Sequence, residues 1–284
     1  MTESPLPSPD VDLELLRSNA VAAGIIAAGF FRHTLKTWTK GESASPVTEA
    51  DIAVDRYLRG ALLGARPGYG WLSEEAADDQ SRLSRRRAFI VDPIDGTRGF
   101  IRGEDSWTIS LAVIEDGRPI AGVVYAPARD ELYEASRGGG ARLNAHPIPR
   151  RASAQAKPVI PGPGAVHGAL QDAGLDYVRG PYLPSLAYRL VQVATGKLDA
   201  LPVRRGASDW DIAGAAAILS ECGIGFIDVC AGPVLFNRQI TRHGALAAAA
   251  DESLQTVLQQ ALIQVYGCPP EEALAAPDLE NRTL

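Results

Sequence analysis

The stretch that most constrains this chain is an apolar run, Arg87-Ala-Phe-Ile-Val91, that ends in two acids, Asp92 and Asp95, set around Pro93 and Ile94. A short apolar run of this kind reads as a buried strand. Pro93 fixes the backbone and offers no N–H, so the ladder is interrupted and the chain turns. Gly96-Thr97 then opens a helix, whose first N–H groups have no partner inside it. Carboxylates beside free N–H donors suit a divalent cation with an oxyanion held next to it. A lone Asp-Gly after a strand is ordinarily a turn; the fixed spacing from Asp92 to Thr97 points to a site instead.

Composition bounds the rest. With 284 residues, 46% of them hydrophobic and 22% charged, the chain is an ordinary globular protein of one large domain or two modest ones. A net charge of −6 argues against a nucleic acid polymer or a membrane surface as partner, since both want a basic face. An acidic protein still takes an anionic substrate where bound metal reverses the local sign. Cys222, Cys230 and Cys268 lack metal-type spacing and read as buried or incidental thiols of a reducing compartment. The four histidines, His33, His146, His167 and His243, form no pair at ligand spacing, which disfavours zinc. The first residues lack a basic n-region, and the longest apolar run, Ala20 to Phe31, is too short to span a bilayer. The expected location is cytoplasmic.

Along the chain, a loose start to about residue 10 precedes apolar residues at helical spacing from Asp12 to about Thr37. Trp38 to Pro46, carrying Lys40, reads as a loop, and Thr48 as the N-cap of a helix running to about Leu63. Asp51 and Asp55 fall on one face of that helix. Gly70 to Glu75 is a short strand ending in paired acids. From Trp107 to Asn144 the pattern alternates, with reversals at Asp116-Gly117, Ala128 to Asp130 and Gly138 to Gly140, which is an antiparallel meander. The Pro/Gly-rich segment from Pro158 to Gly164 divides an α+β half, residues 11–157, from an α/β half, residues 158–268. In the second half, helices are expected at Ser185 to Thr195, Asp209 to Glu221 and Asp251 to Val265. Strands are expected at Leu198 to Val203, Gly225 to Val229 and Leu246 to Ala249. The tail from Pro269 reads as disordered.

A second informative stretch is Trp210-Asp-Ile-Ala-Gly214, where Asp211 occupies the first turn of an apolar helix. Together, Glu74-Glu75, Asp92 to Thr97 and Trp210 to Gly214, with Ile218-Leu219 beyond, resemble the signature motifs of the inositol monophosphatase superfamily. That group includes inositol monophosphatases, 3′(2′),5′-bisphosphate nucleotidases, fructose-1,6-bisphosphatases and a branch of histidinol phosphatases. The resemblance covers about residues 12 to 265 and implies an alternating αβαβα sandwich, an antiparallel-sheet half plus a smaller α/β half with the site between them. It implies Mg²⁺, two or three ions per site, with sensitivity to lithium. Glu74, Asp92 and the carbonyl of Ile94 match the ligands of one ion, and Asp92, Asp95 and Asp211 those of another. Gly96 and Thr97 match the residues whose N–H groups receive the phosphate, beside Asp95 and Asp211. Asp51 matches the acid that pairs with the Thr97 hydroxyl to orient the attacking water, so Asp51, Thr97 and Glu74 form the catalytic set, with Glu75 behind them.

The chemistry is coherent in its own terms. Oxygen ligands without His or Cys suit Mg²⁺, and the four negative charges of Glu74, Asp92, Asp95 and Asp211 match two such ions. For substrate, Arg204 stands where inositol-specific members place an acid, and a guanidinium prefers a second phosphate to a neutral polyol. The expected activity is therefore a bisphosphate nucleotidase acting on 3′-phosphoadenosine 5′-phosphate. Inositol-1-monophosphatase and then histidinol phosphatase are the alternatives, and a metal-binding metabolite sensor is the non-enzymatic one. Ser73 in place of the usual Gly, and Glu221-Cys-Gly-Ile224 in place of Glu-Ala-Gly-Gly, depart from the family pattern without removing a ligand. A small phosphorylated metabolite is the expected partner; a homodimer is admissible, although nothing in the sequence marks an interface.

Overall fold

Ser8 opens the first helix: its hydroxyl accepts from the Val11 N–H, and Pro9 sits where a missing N–H costs nothing. This helix, α1 (Pro9–Ala28), starts inside the segment expected to be loose and stops short of Thr37. It ends at a Gly29 cap, and the residues beyond are recruited elsewhere. The threonines and valine of Thr37–Lys40 (β1) and Ser45–Thr48 (β2) pair as an antiparallel ribbon where a loop was expected, β-branched side chains favouring the extended state. Thr48 caps α2 (Glu49–Ala65) as expected, in a reciprocal capping box with Asp51. The computed structural model describes residues 6–40, 45–151 and 154–270. The tail expected to be disordered falls, from residue 271 on, outside them.

A seven-stranded sheet follows in chain order: β3 (Gly70–Ser73), β4 (Arg87–Asp95), β5 (Thr108–Glu115), β6 (Arg118–Ala126), β7 (Glu131–Ser136), β8 (Gly140–Leu143) and β9 (His146–Pro147). Only the β3–β4 pair is parallel; the rest is the expected meander. Asp116 and Gly117 turn β5 into β6 with φ of 52° and 72°, values a Gly accepts freely and an Asp tolerates. The short helix α3 (Thr97–Ile101) leaves the end of β4.

The second half adds β10 (Val159–Ile160), α4 (Gly164–Asp172), β11 (Val178–Arg179), α5 (Leu186–Ala194), β12 (Ala200–Val203), α6 (Asp209–Glu221), β13 (Gly225–Asp228), β14 (Gly232–Pro233), β15 (Leu246–Ala249) and α7 (Glu252–Tyr266). Its four-stranded sheet runs β12-β15-β13-β14. Both β12 and β13 are antiparallel to β15, so α6 is the crossover between two strands of like direction.

Alternation along β4 shows how the layers stack. Phe89 and Val91 face α1 and α2, while Ile90 faces α5 and α6. The α5–α6 layer carries on its other side Leu201, Leu246 and Ala248 of the second sheet. Ala200, Ala247 and Ala249 on that sheet's far face pack on α4 and α7. The result is the expected αβαβα sandwich, and one hydrophobic cluster runs continuously across residue 158. No described helix is long and apolar enough to cross a membrane. The thiol expectation fails at two positions: Cys230, after β13, and Cys268, after α7, form a disulfide, and only Cys222 is free and buried. The C-terminal helix brings together cysteines 38 residues apart, which spacing alone does not reveal.

Helix α6 lies unusually close to the large sheet. A Cβ on Gly122 would stand 2.5 Å from the Gly214 carbonyl oxygen, and one on Gly214 would stand 2.9 Å from the Val123 oxygen. These are backbone neighbours that a rotamer change cannot relieve. Gly122→Val is therefore expected to destabilise the protein by about 3 kcal/mol, the upper end of overpacking costs. Urea unfolding should show this as a lower midpoint at unchanged m-value.

Candidate active site

A regular strand would place Asp92 and Asp95 on opposite faces, because side chains alternate with period two. The structure resolves this with a bulge. Asp92 pairs with Ser110 and Asp95 with Thr108, so β4 spends one residue more than β5 between the two pairs. The register shift falls between Asp92 and Asp95, an interval that includes Pro93, whose missing N–H leaves no ladder donor to lose. Both carboxylates thus reach the same side of the sheet.

Each acid is then fixed by a donor. Asp92 Oδ1 accepts from the Ile94 N–H at 3.1 Å. Asp95 Oδ2 accepts from the Ser185 hydroxyl and from the Ala187 N–H, both at 2.6 Å, which ties β4 to the start of α5. The same Ser185 oxygen caps α5 by accepting from the Tyr188 N–H at 2.9 Å, and lies 3.0 Å from the Thr108 hydroxyl. Asp211 Oδ2 accepts from the Ser208 N–H at 2.6 Å in a capping box at the start of α6. Gly96, at φ 90°, makes the turn between Asp95 and α3, and a Cβ there would stand 3.1 Å from the Ser185 nitrogen. Thr97 follows as the first residue of α3.

Asp92, Asp95 and Asp211 offer oxygens within 4.8 Å of one another. Glu74, half-buried just beyond β3, is close enough for its charge to act on both Asp92 and Asp211. Burial first, then the charges of Glu74 and Asp95, push the Asp92 and Asp211 pKa values well above the usual carboxylate range. Burial also raises Asp95, against the lowering pull of its bonds to Ser185 and Ala187. Such a donor set, all hard oxygen and crowded with negative charge, fits Mg²⁺.

Asp51 faces the cluster from α2. Its Oδ2 accepts from the Thr48 N–H at 2.8 Å and from the Thr48 hydroxyl at 2.6 Å, and its Oδ1 lies 3.4 Å from the Thr97 hydroxyl. That hydroxyl is nearer the Ile94 carbonyl oxygen, at 3.0 Å. Asp55, on the same helix, bonds instead to the Ser73 hydroxyl, and the same oxygen accepts from the Glu75 N–H.

Arg204 is exposed just past β12, and its charge acts on Arg189 of α5. Arg189 is the residue that sequence reasoning passed over. Its guanidinium feels the charges of Asp95 and Asp211 and lies 5.9 Å from the centre of the Tyr182 ring. Ser185 was also read only as a helix start; a Ser just before an apolar helix signals a cap, but not that its hydroxyl also holds Asp95.

A model of the inositol monophosphatase family matches residues 10–265. An inositol-1-monophosphatase of Mesorhizobium japonicum is 31% identical over 233 residues, 78% of this chain and 83% of that protein. A histidinol-phosphatase of Chlorobaculum parvum is 34% identical over 225 residues, 75% and 83% of the two. Among solved structures, the extragenic suppressor protein suhB of Bartonella henselae superposes with a TM-score of 0.76 at 27% identity, covering 89% of this chain and 98% of that one.

The raised carboxylates have a consequence for stability. A carboxyl whose folded pKa lies above its unfolded one stabilises the fold below the unfolded pKa, and that contribution is lost as pH rises through the folded value. Without divalent ions, the protein is therefore expected to lose thermal stability as pH rises through the raised range of Asp92 and Asp211. Asp92→Asn should blunt that slope and raise the metal-free midpoint above pH 7. Melting curves in chelator across a pH series check both.

Proposed function

This chain belongs to the inositol monophosphatase family, and we propose that within it the chain is a Mg²⁺-dependent 3′(2′),5′-bisphosphate nucleotidase. It is a phosphoric monoester hydrolase of a family that depends on Mg²⁺; the proposal concerns the residue roles, the ions and the ester. Glu74, Asp92, the Ile94 carbonyl, Asp95 and Asp211 would hold two or three Mg²⁺, which supply positive charge for the phosphate and lower the pKa of bound water. The remaining work belongs to the chain. Asp51 and Thr97 orient the water: a threonine hydroxyl is too weak a base to draw on a water proton alone, and Asp51 Oδ1, 3.4 Å away, is the carboxylate acceptor for the hydroxyl's own proton. The N–H groups of Gly96 and Thr97 receive phosphate oxygens at the start of α3.

The observation that supports the substrate class is Arg189, whose guanidinium feels the charges of Asp95 and Asp211, with the exposed Arg204 close enough for its charge to act on it. A guanidinium at the mouth of an acidic site has a use when the ester brings a second anion, because its fork matches a phosphate. Tyr182, 76% exposed and next to Arg189, gives a base a ring on which to stack. The relatives named for inositol 1-phosphate and histidinol phosphate support the alternatives, whose substrates carry one phosphate each.

Assay of kcat/KM on 3′-phosphoadenosine 5′-phosphate, inositol 1-phosphate, fructose 1,6-bisphosphate and histidinol phosphate tests the proposal. The bisphosphorylated nucleotide is expected to lead. Arg189→Met should lower kcat/KM for it by about tenfold or more, the usual worth of a charged hydrogen bond, and leave inositol 1-phosphate nearly unchanged. Preference for inositol 1-phosphate in the unaltered protein would overturn the nucleotidase reading. Separately, Asp92→Asn should fold and keep less than roughly a tenth of the activity. A protein that binds the ester in single turnover without releasing phosphate would be a sensor.

A further inference from the structure

Away from the carboxylates, a buried cation joins the two halves of the molecule. Arg82 lies in a turn, Ser81–Ser84, and its side chain has no exposed surface. Its guanidinium donates from Nε and Nη2 to the Asp78 carboxylate at 3.1 and 2.8 Å. From Nη1 it donates to Asn237 Oδ1 at 2.7 Å, and from Nη2 to the Arg238 carbonyl at 2.9 Å. Asn237 in turn donates its N–H to Asp209 Oδ2 at 2.7 Å, and Asp209 Oδ1 lies 2.7 Å from His243 Nε2. The Asp209 N–H donates to the Thr241 carbonyl. Asp209 and His243 are both buried.

The positions of these residues in the chain give the network its meaning. Asp78 belongs to the segment that leaves β3 carrying Glu74, and Asp209 begins α6, whose first turn carries Asp211. Arg82 thus holds the segment of one acid to the loop that holds the start of the helix of the other. Gly70 makes room for it: a Cβ there would stand 2.6 Å from the Arg82 Cβ. A buried guanidinium is costly unless all its donors are used. Here its fork meets acceptors on two chain segments, an arrangement a single lysine ammonium does not reproduce.

We propose that Arg82 is a positioning residue for the metal centre, setting the separation between Glu74 and Asp211 through Asp78 on one side and Asn237, Asp209 and His243 on the other. This rests on the reading that those carboxylates hold Mg²⁺. A residue in this role controls how well the acids converge on an ion, not the chemistry once the ion is held.

The test is calorimetric titration of the full chain with Mg²⁺ alone, alongside kcat at saturating Mg²⁺. Arg82→Met is expected to weaken Mg²⁺ binding by about tenfold while kcat at saturating Mg²⁺ stays within about threefold. Asn237→Ala keeps the backbone donor to Asp209 and removes the acceptor for Arg82, while also placing an alanine at a φ of 57°, which asparagine tolerates better. It should shift Mg²⁺ affinity in the same direction, and the double variant should lose no more than Arg82→Met alone. Arg82→Lys should recover only part of the affinity. Asp92→Asn serves as the control for the site. If it still binds Mg²⁺ like the unaltered protein, the metal reading itself fails, and this inference with it. If Asp92→Asn loses binding while folded Arg82→Met and Asn237→Ala bind normally, the positioning role alone is overturned. A fall in kcat at unchanged Mg²⁺ affinity overturns it as well. Should Arg82→Met not fold, Asn237→Ala decides in the same terms.

Discussion

Repulsion among buried carboxylates is the constraint around which the molecule is built. Asp92, Asp95 and Asp211 offer oxygens within 4.8 Å of one another, with Glu74 and Asp51 close enough to add to the charge on Asp92. Left to relax, such a group would spread apart or take up protons. It is held instead by donors that belong to the backbone or to helix caps: the Ile94 N–H on Asp92, the Ala187 N–H and Ser185 hydroxyl on Asp95, and the Ser208 N–H on Asp211. The bonds to Asp92 and Asp211 are local, while those to Asp95 join β4 to the cap of α5. These bonds hold the acids close together, at a standing cost that the rest of the fold must offset.

That offset comes from the layer shared by the two sheets. Helix α6 is nearly all small or apolar and buries Ile212, Ala213, Ala215 and Ile218 between them. The glycine contact at Gly122 and Gly214 brings its backbone against β6. This close approach fixes the height of Asp211 above the end of β4, so packing and electrostatics are set by the same few residues. Each half keeps a cluster of its own, and a third, shared cluster runs from Leu72 and Ile90 through α5 and α6 to Leu246.

How much of this was legible in the chain depended on range. The buried run ending at Asp92, the Asp116-Gly117 reversal, the Thr48 cap and the start of α6 are local patterns, and the structure reproduces them. The bulge between Asp92 and Asp95 was invisible, because a register exists only with respect to a partner strand. The end of α1 was misplaced since its pattern continues through Phe30 and Phe31, which pack on the core as turns without staying helical. Arg82 and Arg189 sit in no local pattern that marks them out. The bond from Arg82 to Asn237 spans 155 residues, and no local rule anticipates it. The Cys230–Cys268 pairing was missed for the same reason.

The Thr97 hydroxyl shows how these levels meet in one atom. It carries a single hydrogen and has two acceptors in reach, the Ile94 carbonyl at 3.0 Å and Asp51 Oδ1 at 3.4 Å. The nearer bond is the local one, closing the turn that the bulge and Gly96 create. The longer bond joins this turn to α2, whose Asp51 is already half-committed to the Thr48 cap through its other oxygen. Any group that engages the Ile94 carbonyl competes for the first acceptor and leaves Asp51 as the partner. A local turn bond and a long-range pairing thus compete for one proton, and the same carbonyl that closes the turn stands among the oxygens proposed to hold the ion.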